Sequence, residues 1–182
     1  MTGPAELLRD FVNTYDVEDD ADDLASPAEL SVWLRERELI ADGDRAADED
    51  MIMATRLREG LRRALRHNNH VAEPYDLPED LETTLTALPV RIALAGGTPA
   101  LEPTCSGVAG GLARIAALIP AAHAEGTWRR LKVCAESTCQ WAFIDSSKNR
   151  SRSWCSMRVC GNRTKTRAYR ARRRAEGSPR PS

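Results

Sequence analysis

Four cysteines, Cys134, Cys139, Cys155 and Cys160, fall within 27 residues of this 182-residue chain. Their pattern is Cys-x4-Cys, a gap of fifteen residues, then a second Cys-x4-Cys. Each pair supplies two thiolates from one local turn. The segment between them can bring the pairs together, which is how a chain builds a closed tetrahedral sulfur site. Four soft ligands favour zinc over hard cations and leave no open position for a substrate. The expectation is one structural zinc ion. Because the gap is four rather than the commoner two, two disulfides, an iron–sulfur cluster or four unrelated buried cysteines stay open as alternatives. The fifth cysteine, Cys105, reads as a half-buried small apolar residue.

The same region carries a strong charge. Residues 1–125 hold 11 basic and 24 acidic side chains, a net of -13, whereas residues 126–182 hold 15 basic and 3 acidic, a net of +12. The formal total of -1 is thus a cancellation between two oppositely charged parts. Arg158, Arg163, Lys165, Arg167 and Arg170, then Arg172 to Arg174, fall on what reads as one long helix from about Cys155. They cover more than one stripe of it, so much of the helix must face solvent or a polyanion. Arg163, Lys165 and Arg167 are placed to straddle a phosphate backbone, and Asn162 could read an adenine edge in a major groove. Lys148, Arg150 and Arg152 on the preceding loop are auxiliary phosphate contacts in that reading. A solvated surface, an RNA-binding element and a dock for the chain's own acidic part are the alternatives. Few large apolar residues accompany this segment, and a core that small needs a metal staple. Trp141, Phe143 and Trp154 are expected to pack around it, with base stacking as the other use.

The elements that must position these groups follow from periodicity. Leu7, Leu8, Phe11, Val12 and Tyr15 give a short amphipathic helix, and Asp16–Asp23 reads as an acidic linker. Ser26, Pro27 and Glu29 form a helix start, with Ser26 as cap. The longest helix in the acidic part spans about Arg45 to Arg66, with acids at its start and arginines at its end. Pro78–Leu88 and Ser106–His123 give two more helices. Val90–Leu94 and Thr98–Thr104 flank Gly96-Gly97 as a β-hairpin, whose prolines at 99 and 103 put the second strand at an edge. Gln140–Asp145 is a short strand, and Gly177–Ser182 a disordered tail. The expected fold class is α+β: a mostly helical domain over 1–125 with a small antiparallel hairpin, then a small treble-clef-like zinc finger over 126–176, built from a short hairpin or knuckle plus a long basic helix.

Other chemistries find little support. His67, His70 and His123 are the only histidines. With Glu73 and Asp76 near His67 and His70, a metal or acid/base site is conceivable, but no nucleophile–base pairing stands at a useful spacing. Gly107-x2-Gly110-Gly111 matches neither the dinucleotide nor the P-loop pattern and reads as a close approach to the hairpin. No enzyme is expected. The longest apolar run, Ile115–Ala122, falls short of a transmembrane span, and the N-terminus lacks the apolar core of a signal peptide. The expectation is a cytoplasmic chain with no membrane partner.

The stretch from Cys134 to Arg173 closely resembles the CGNR zinc finger, whose motif stands here as Cys160-Gly161-Asn162-Arg163 after Trp154-Cys155-Ser156-Met157. The preceding acidic part resembles the ABATE domain, whose opening matches Phe11-Val12-Asn13-Thr14. This resemblance implies a bacterial, stress-induced type of transcription regulator, with zinc on the four cysteines, double-stranded DNA on the finger, and a regulatory or ligand-sensing N-terminal domain. Such a domain could take a small-molecule ligand between helices and hairpin, or form a homodimer suited to two half-sites. Without DNA binding, the runner-up is a protein-interaction module whose basic finger docks an acidic partner or the chain's own N-terminal part.

Overall fold

The computed structural model describes residues 3–69, 79–94, 97 and 99–176. His70, Glu73, Asp76, Gly96 and the tail 177–182 lie outside them. Helix α1 (Pro4–Val12) turns Ala5, Leu8, Phe11 and Val12 into the core. The acidic stretch after it is not a linker. It folds back as a short antiparallel ribbon, β1 (Tyr15–Asp16) against β2 (Ala21–Asp22). The cause is a distant cation: Arg58 clasps both carboxylate oxygens of Asp22, at 2.7 and 2.8 Å. Its guanidinium also donates to the buried Thr14 hydroxyl.

Helix α2 (Pro27–Glu36) starts as its sequence dictates. The Ser26 hydroxyl accepts from the Glu29 amide at 3.3 Å and donates to the Glu29 carboxylate at 2.9 Å. Helix α3 (Asp48–His67) is the central element. It buries Ala54, Leu57, Leu61, Ala64 and Leu65, together with the guanidinium-bearing Arg58 and Arg62. Helix α4 (Glu79–Thr86) packs on α3. Strands β3 (Val90–Ala93) and β4 (Ala100–Pro103) then form the expected antiparallel hairpin, with Ile92 opposite Leu101.

Helix α5 (Gly107–Ala124) lies across the core. Gly110 and Gly111 are needed there, because a Cβ would press on the Cys105 carbonyl at one and on Ile40 and the Leu39 carbonyl at the other. The close approach is therefore shared between the hairpin end and the segment after α2. Among the described residues, α5 is the one helix long and apolar enough to cross a membrane by composition. Its Leu112, Ala113 and Ile115 are fully buried against the other helices, as in a core helix.

After a single turn at Trp128–Arg130, β5 (Leu131–Val133) pairs antiparallel with β6 (Ala142–Ile144). Leu131, Val133 and Ala142 belong to the same hydrophobic core as α1, α3 and α5. Polar clamps fix this hairpin to the helices. Asn13 bonds the Ala142 backbone twice, donating to its carbonyl at 2.9 Å and accepting from its amide at 2.7 Å. Asn68 donates to the Trp128 and Leu131 carbonyls at 2.9 and 2.8 Å. Arg62 reaches the carbonyls of Val12, Tyr15 and Gln140. These bonds satisfy buried backbone groups that would otherwise cost free energy.

The last helix begins later than the sequence suggests. A wide π-helical turn spans Met157–Gly161, and α6 runs only from Asn162 to Glu176. The overall class is α+β, with small antiparallel hairpins and a C-terminal cysteine cluster.

Candidate metal centre and basic helix

Cys134 directly follows β5, and its amide donates to the Trp141 carbonyl at 2.9 Å. Cys139 closes a tight turn through its own amide to the Glu136 carbonyl at 3.0 Å. Gln140 follows at a φ of 53°, which turns the chain back into β6. Cys155 and Cys160 flank the start of the π-turn. Five residues of α-helix would rotate one cysteine about 140° away from the other at 100° each, and the wider turn lets both face one point. The four Sγ atoms lie within 4.8 Å of one another. Two contacts, Cys139–Cys155 and Cys155–Cys160, are 3.7 Å.

This donor set fits zinc. Bonds of about 2.3 Å in a tetrahedron place sulfurs about 3.8 Å apart, close to what is found. All five cysteines are free of disulfides. Burial pushes the Cys139 thiol up to about 12, with the neighbouring Cys134 adding to the shift. Burial followed by Cys134 and Cys139 raises Cys155 as well. Four thiolates crowded this closely need a cation between them, and a divalent ion supplies it. The cysteines hold one structural zinc ion. Trp154 packs against the cluster, Phe143 is buried beneath the Arg152 guanidinium, and Trp141 stays 37% exposed. Cys105 is half-buried against the main core.

Two buried carboxylates, which no local pattern marks as functional, organise the finger. Glu136 and Asp145 are the only acids between Gly126 and Ala175, and that isolation was the available signal. Both side chains are fully buried. Glu136 sits inside the first cysteine pair and accepts from Thr164 at 2.9 Å and Arg167 at 2.8 Å, both on α6. Burial works against its charge, but the bonds from Thr164, Arg167 and Thr138 prevail and hold its pKa below the usual range. Glu136 thereby ties the helix to the knuckle. Replacing it, Glu136→Ala, is expected to cost about 2–3 kcal/mol of finger stability, because charged hydrogen bonds are lost and their donors stranded. Zinc should stay at one per chain, so thermal unfolding and metal analysis of the same sample check the assignment.

The basic residues divide into two groups. Lys148, Arg150, Arg158, Lys165 and Arg170 are exposed and make no ion pair among the described residues. Arg152 turns inward, donating to the Cys155 carbonyl at 2.6 Å. Arg163 pairs with Glu18 at 2.8 Å, and Arg167 with Glu136. Asn162 is exposed, and its amide nitrogen donates to the Arg158 carbonyl at 3.0 Å, which braces the junction between π-turn and α6. From Lys165 to Arg174, α6 is exposed on every side. Arg163, Arg167, Arg170 and Arg174 stand at i, i+4, i+7 and i+11 and line one groove along it. Of the three histidines, His123 stacks on Trp128 at 4.9 Å, and burial, helped by Arg129, lowers its pKa.

The CGNR zinc finger model matches residues 130–173. The model of the ABATE family, described as "Putative stress-induced transcription regulator", matches residues 5–135. Strand β5 falls in both matches, in keeping with its place in the shared core. No curated protein matches the chain. With well over half its length matched and a four-sulfur knuckle following, the chain belongs to the ABATE family of transcription-regulator-like proteins and carries a CGNR zinc finger.

Proposed function

We propose that this chain is a transcription regulator that binds double-stranded DNA through α6, acting in the cytoplasm by binding rather than by catalysis. One observation carries the reading. The start of α6 is anchored to the sulfur knuckle by Cys160, Thr164 and Arg167, while the helix beyond Thr164 is exposed all round and has no acid before Glu176. A helix so charged on every side repels itself in isolation and gains most from a polyanion. Arg170 and Arg174 extend the stripe begun by Arg163 and Arg167, whereas Lys165 and Arg172 point to the opposite side. Both sets can meet phosphates if the helix lies in a groove. Lys148, Arg150 and Arg158 add charge beside its start. A small-molecule ligand of the N-terminal part would find an open groove between α3 and α4, lined by Arg56, Glu79, Asp80, Thr83 and Thr84.

A second reading is favoured by the Arg163–Glu18 pair. The basic helix docks on acids of its own chain, or on an acidic partner, in place of DNA. Such a surface pair is worth about 0–1 kcal/mol, too little to hold the helix away from DNA. The test is duplex binding as a function of salt. Wild-type affinity should fall steeply as salt rises, and Lys165→Ala and Arg170→Ala should each reduce the slope by about 1. Glu18→Gln should raise affinity only slightly. No binding at low salt by zinc-loaded protein would overturn the DNA reading, and a large gain from Glu18→Gln would favour the second.

A further inference from the structure

The β3–β4 hairpin is a sheet of two strands, so each strand has an outer edge. Unpaired edges invite pairing with another chain. The Thr104 amide donates to the Pro89 carbonyl at 3.1 Å, and this fixes the alternation of the ladder. Arg91–Glu102 and Ala93–Ala100 are then the pairs that exchange hydrogen bonds. The backbone groups of Val90, Ile92, Leu101 and Pro103 point outward. On the β4 side that edge is closed, because Pro103 has no N–H and Pro99 stands one register step beyond the strand. On the β3 side no proline intervenes. Among the described residues, no backbone bond reaches the amide or carbonyl of Val90 or Ile92 from outside the hairpin. The same strand exposes Val90 by 37% and Ile92 by 75%, and Leu94 just beyond it by 69%.

We propose that this edge joins two copies of the chain. The β3 strand of a second copy lies antiparallel to it about a two-fold axis at Ile92, giving one four-stranded sheet in the order β4-β3-β3-β4. The occupant is a second copy because the strand complements itself in that register. Ile92 faces the partner's Ile92, Val90 faces the partner's Leu94, and Arg91 faces the partner's Ala93. No like charges stand directly opposite, and Glu102 neutralises Arg91 within each copy at 2.9 Å, which offsets the diagonal approach of Arg91 to the partner's Arg91. The apolar side chains of both strands fall on the same face of the joined sheet. With β4 closed by proline, assembly stops at two copies.

The test uses the full-length, zinc-loaded protein. Sedimentation equilibrium should give a dimer for the natural sequence and a monomer for Ile92→Lys and Ile92→Pro. The proline variant removes the Ile92 side chain and its outward amide but no hydrogen bond within the hairpin, so far-UV circular dichroism and zinc content should be unchanged. In a Cys105→Ser background, Ile92→Cys should cross-link readily under mild oxidation. Directly opposed residues in a hydrogen-bonded pair have Cα atoms about 5.5 Å apart, within disulfide reach. Arg91→Cys, which faces the partner's Ala93 rather than itself, should cross-link far less. A monomer at all concentrations, a dimer indifferent to both Ile92 variants, assemblies larger than two, or equal cross-linking at positions 91 and 92 would each overturn the proposal.

Discussion

Removal of zinc is expected to unfold the knuckle and α6 while the helices and the β5–β6 hairpin stay folded. Among the described residues, two apolar clusters differ greatly in size. The larger contains α1, α3, α5 and the hairpin residues Leu131, Val133 and Ala142. The smaller contains only Cys134, Cys139 and Cys160, with Trp154 and Cys155 against them. Met157 and Val159, which might have enlarged it, are about half exposed, at 49% and 51%. Structural zinc contributes on the order of 10–16 kcal/mol in small fingers, and nothing apolar here replaces it. Once the ion leaves, four crowded thiols and a helix with seven basic residues between Arg163 and Arg174 have little to hold them.

The result should be read by hydrogen exchange after treatment with a strong chelator, or in the Cys160→Ser variant. Protection should vanish over residues 134–141 and 153–176 and persist in α3 and β5. Zinc should fall from one per chain to none, and the proposed DNA binding predicts that duplex affinity is lost in the same titration. Global unfolding would show that the two clusters are one cooperative unit. Unchanged protection would remove zinc from its structural role.

What the sequence made legible was local. The cysteine spacing announces the sulfur site because both pairs lie within short turns, and the Ser26 cap works through a residue three positions away. Long-range partners were not legible. Asp16–Asp23 looks like a solvated linker until Arg58, 36 residues after Asp22, is seen to bind it. Arg163 and Arg167 look equivalent to Lys165 and Arg170 in sequence, yet buried or neighbouring carboxylates claim the first two. In the sequence, Asn13 stands out only as part of the Phe11–Thr14 string. Its contribution, two hydrogen bonds to the backbone of Ala142, spans 129 residues. The expected helix from Cys155 failed for a stereochemical reason, since an α-helix places that pair of sulfurs on different faces.

Outside the zinc ligands, the largest stability effect of a single substitution is expected at Asp145 and Lys132. Their side chains are 0% and 4% exposed and meet at 3.0 Å across the β5–β6 hairpin. Asp145 also accepts from the amides of Ser147 and Arg152, both at 2.9 Å. Lys132 donates further to the carbonyls of Arg150 and Arg152. One ion pair thus folds the loop that carries Lys148 and Arg150. Burial opposes the carboxylate, but hydrogen bonds from Ser147, Lys132 and Arg152 outweigh it and hold its pKa far below the usual carboxylate range. Asp145→Asn leaves a buried ammonium without its counter-charge, and Lys132→Met leaves a buried carboxylate. Each should cost about 3–5 kcal/mol, or roughly 6–20 °C in Tm for a chain of this size. The pH dependence follows from the depressed pKa. The contribution of Asp145 is complete above the unfolded value near 3.9 and is lost as pH falls through the lower folded value. Asp145→Asn should therefore flatten the acid limb of the stability curve while lowering its plateau. The double variant Lys132→Met with Asp145→Asn removes both charges together and should be destabilised by less than the two single changes sum to. Thermal unfolding from neutral to acid pH for all four proteins measures this. If the two single costs simply add in the double variant, the pair does not act as a unit, and the loop must owe its shape to backbone bonds alone.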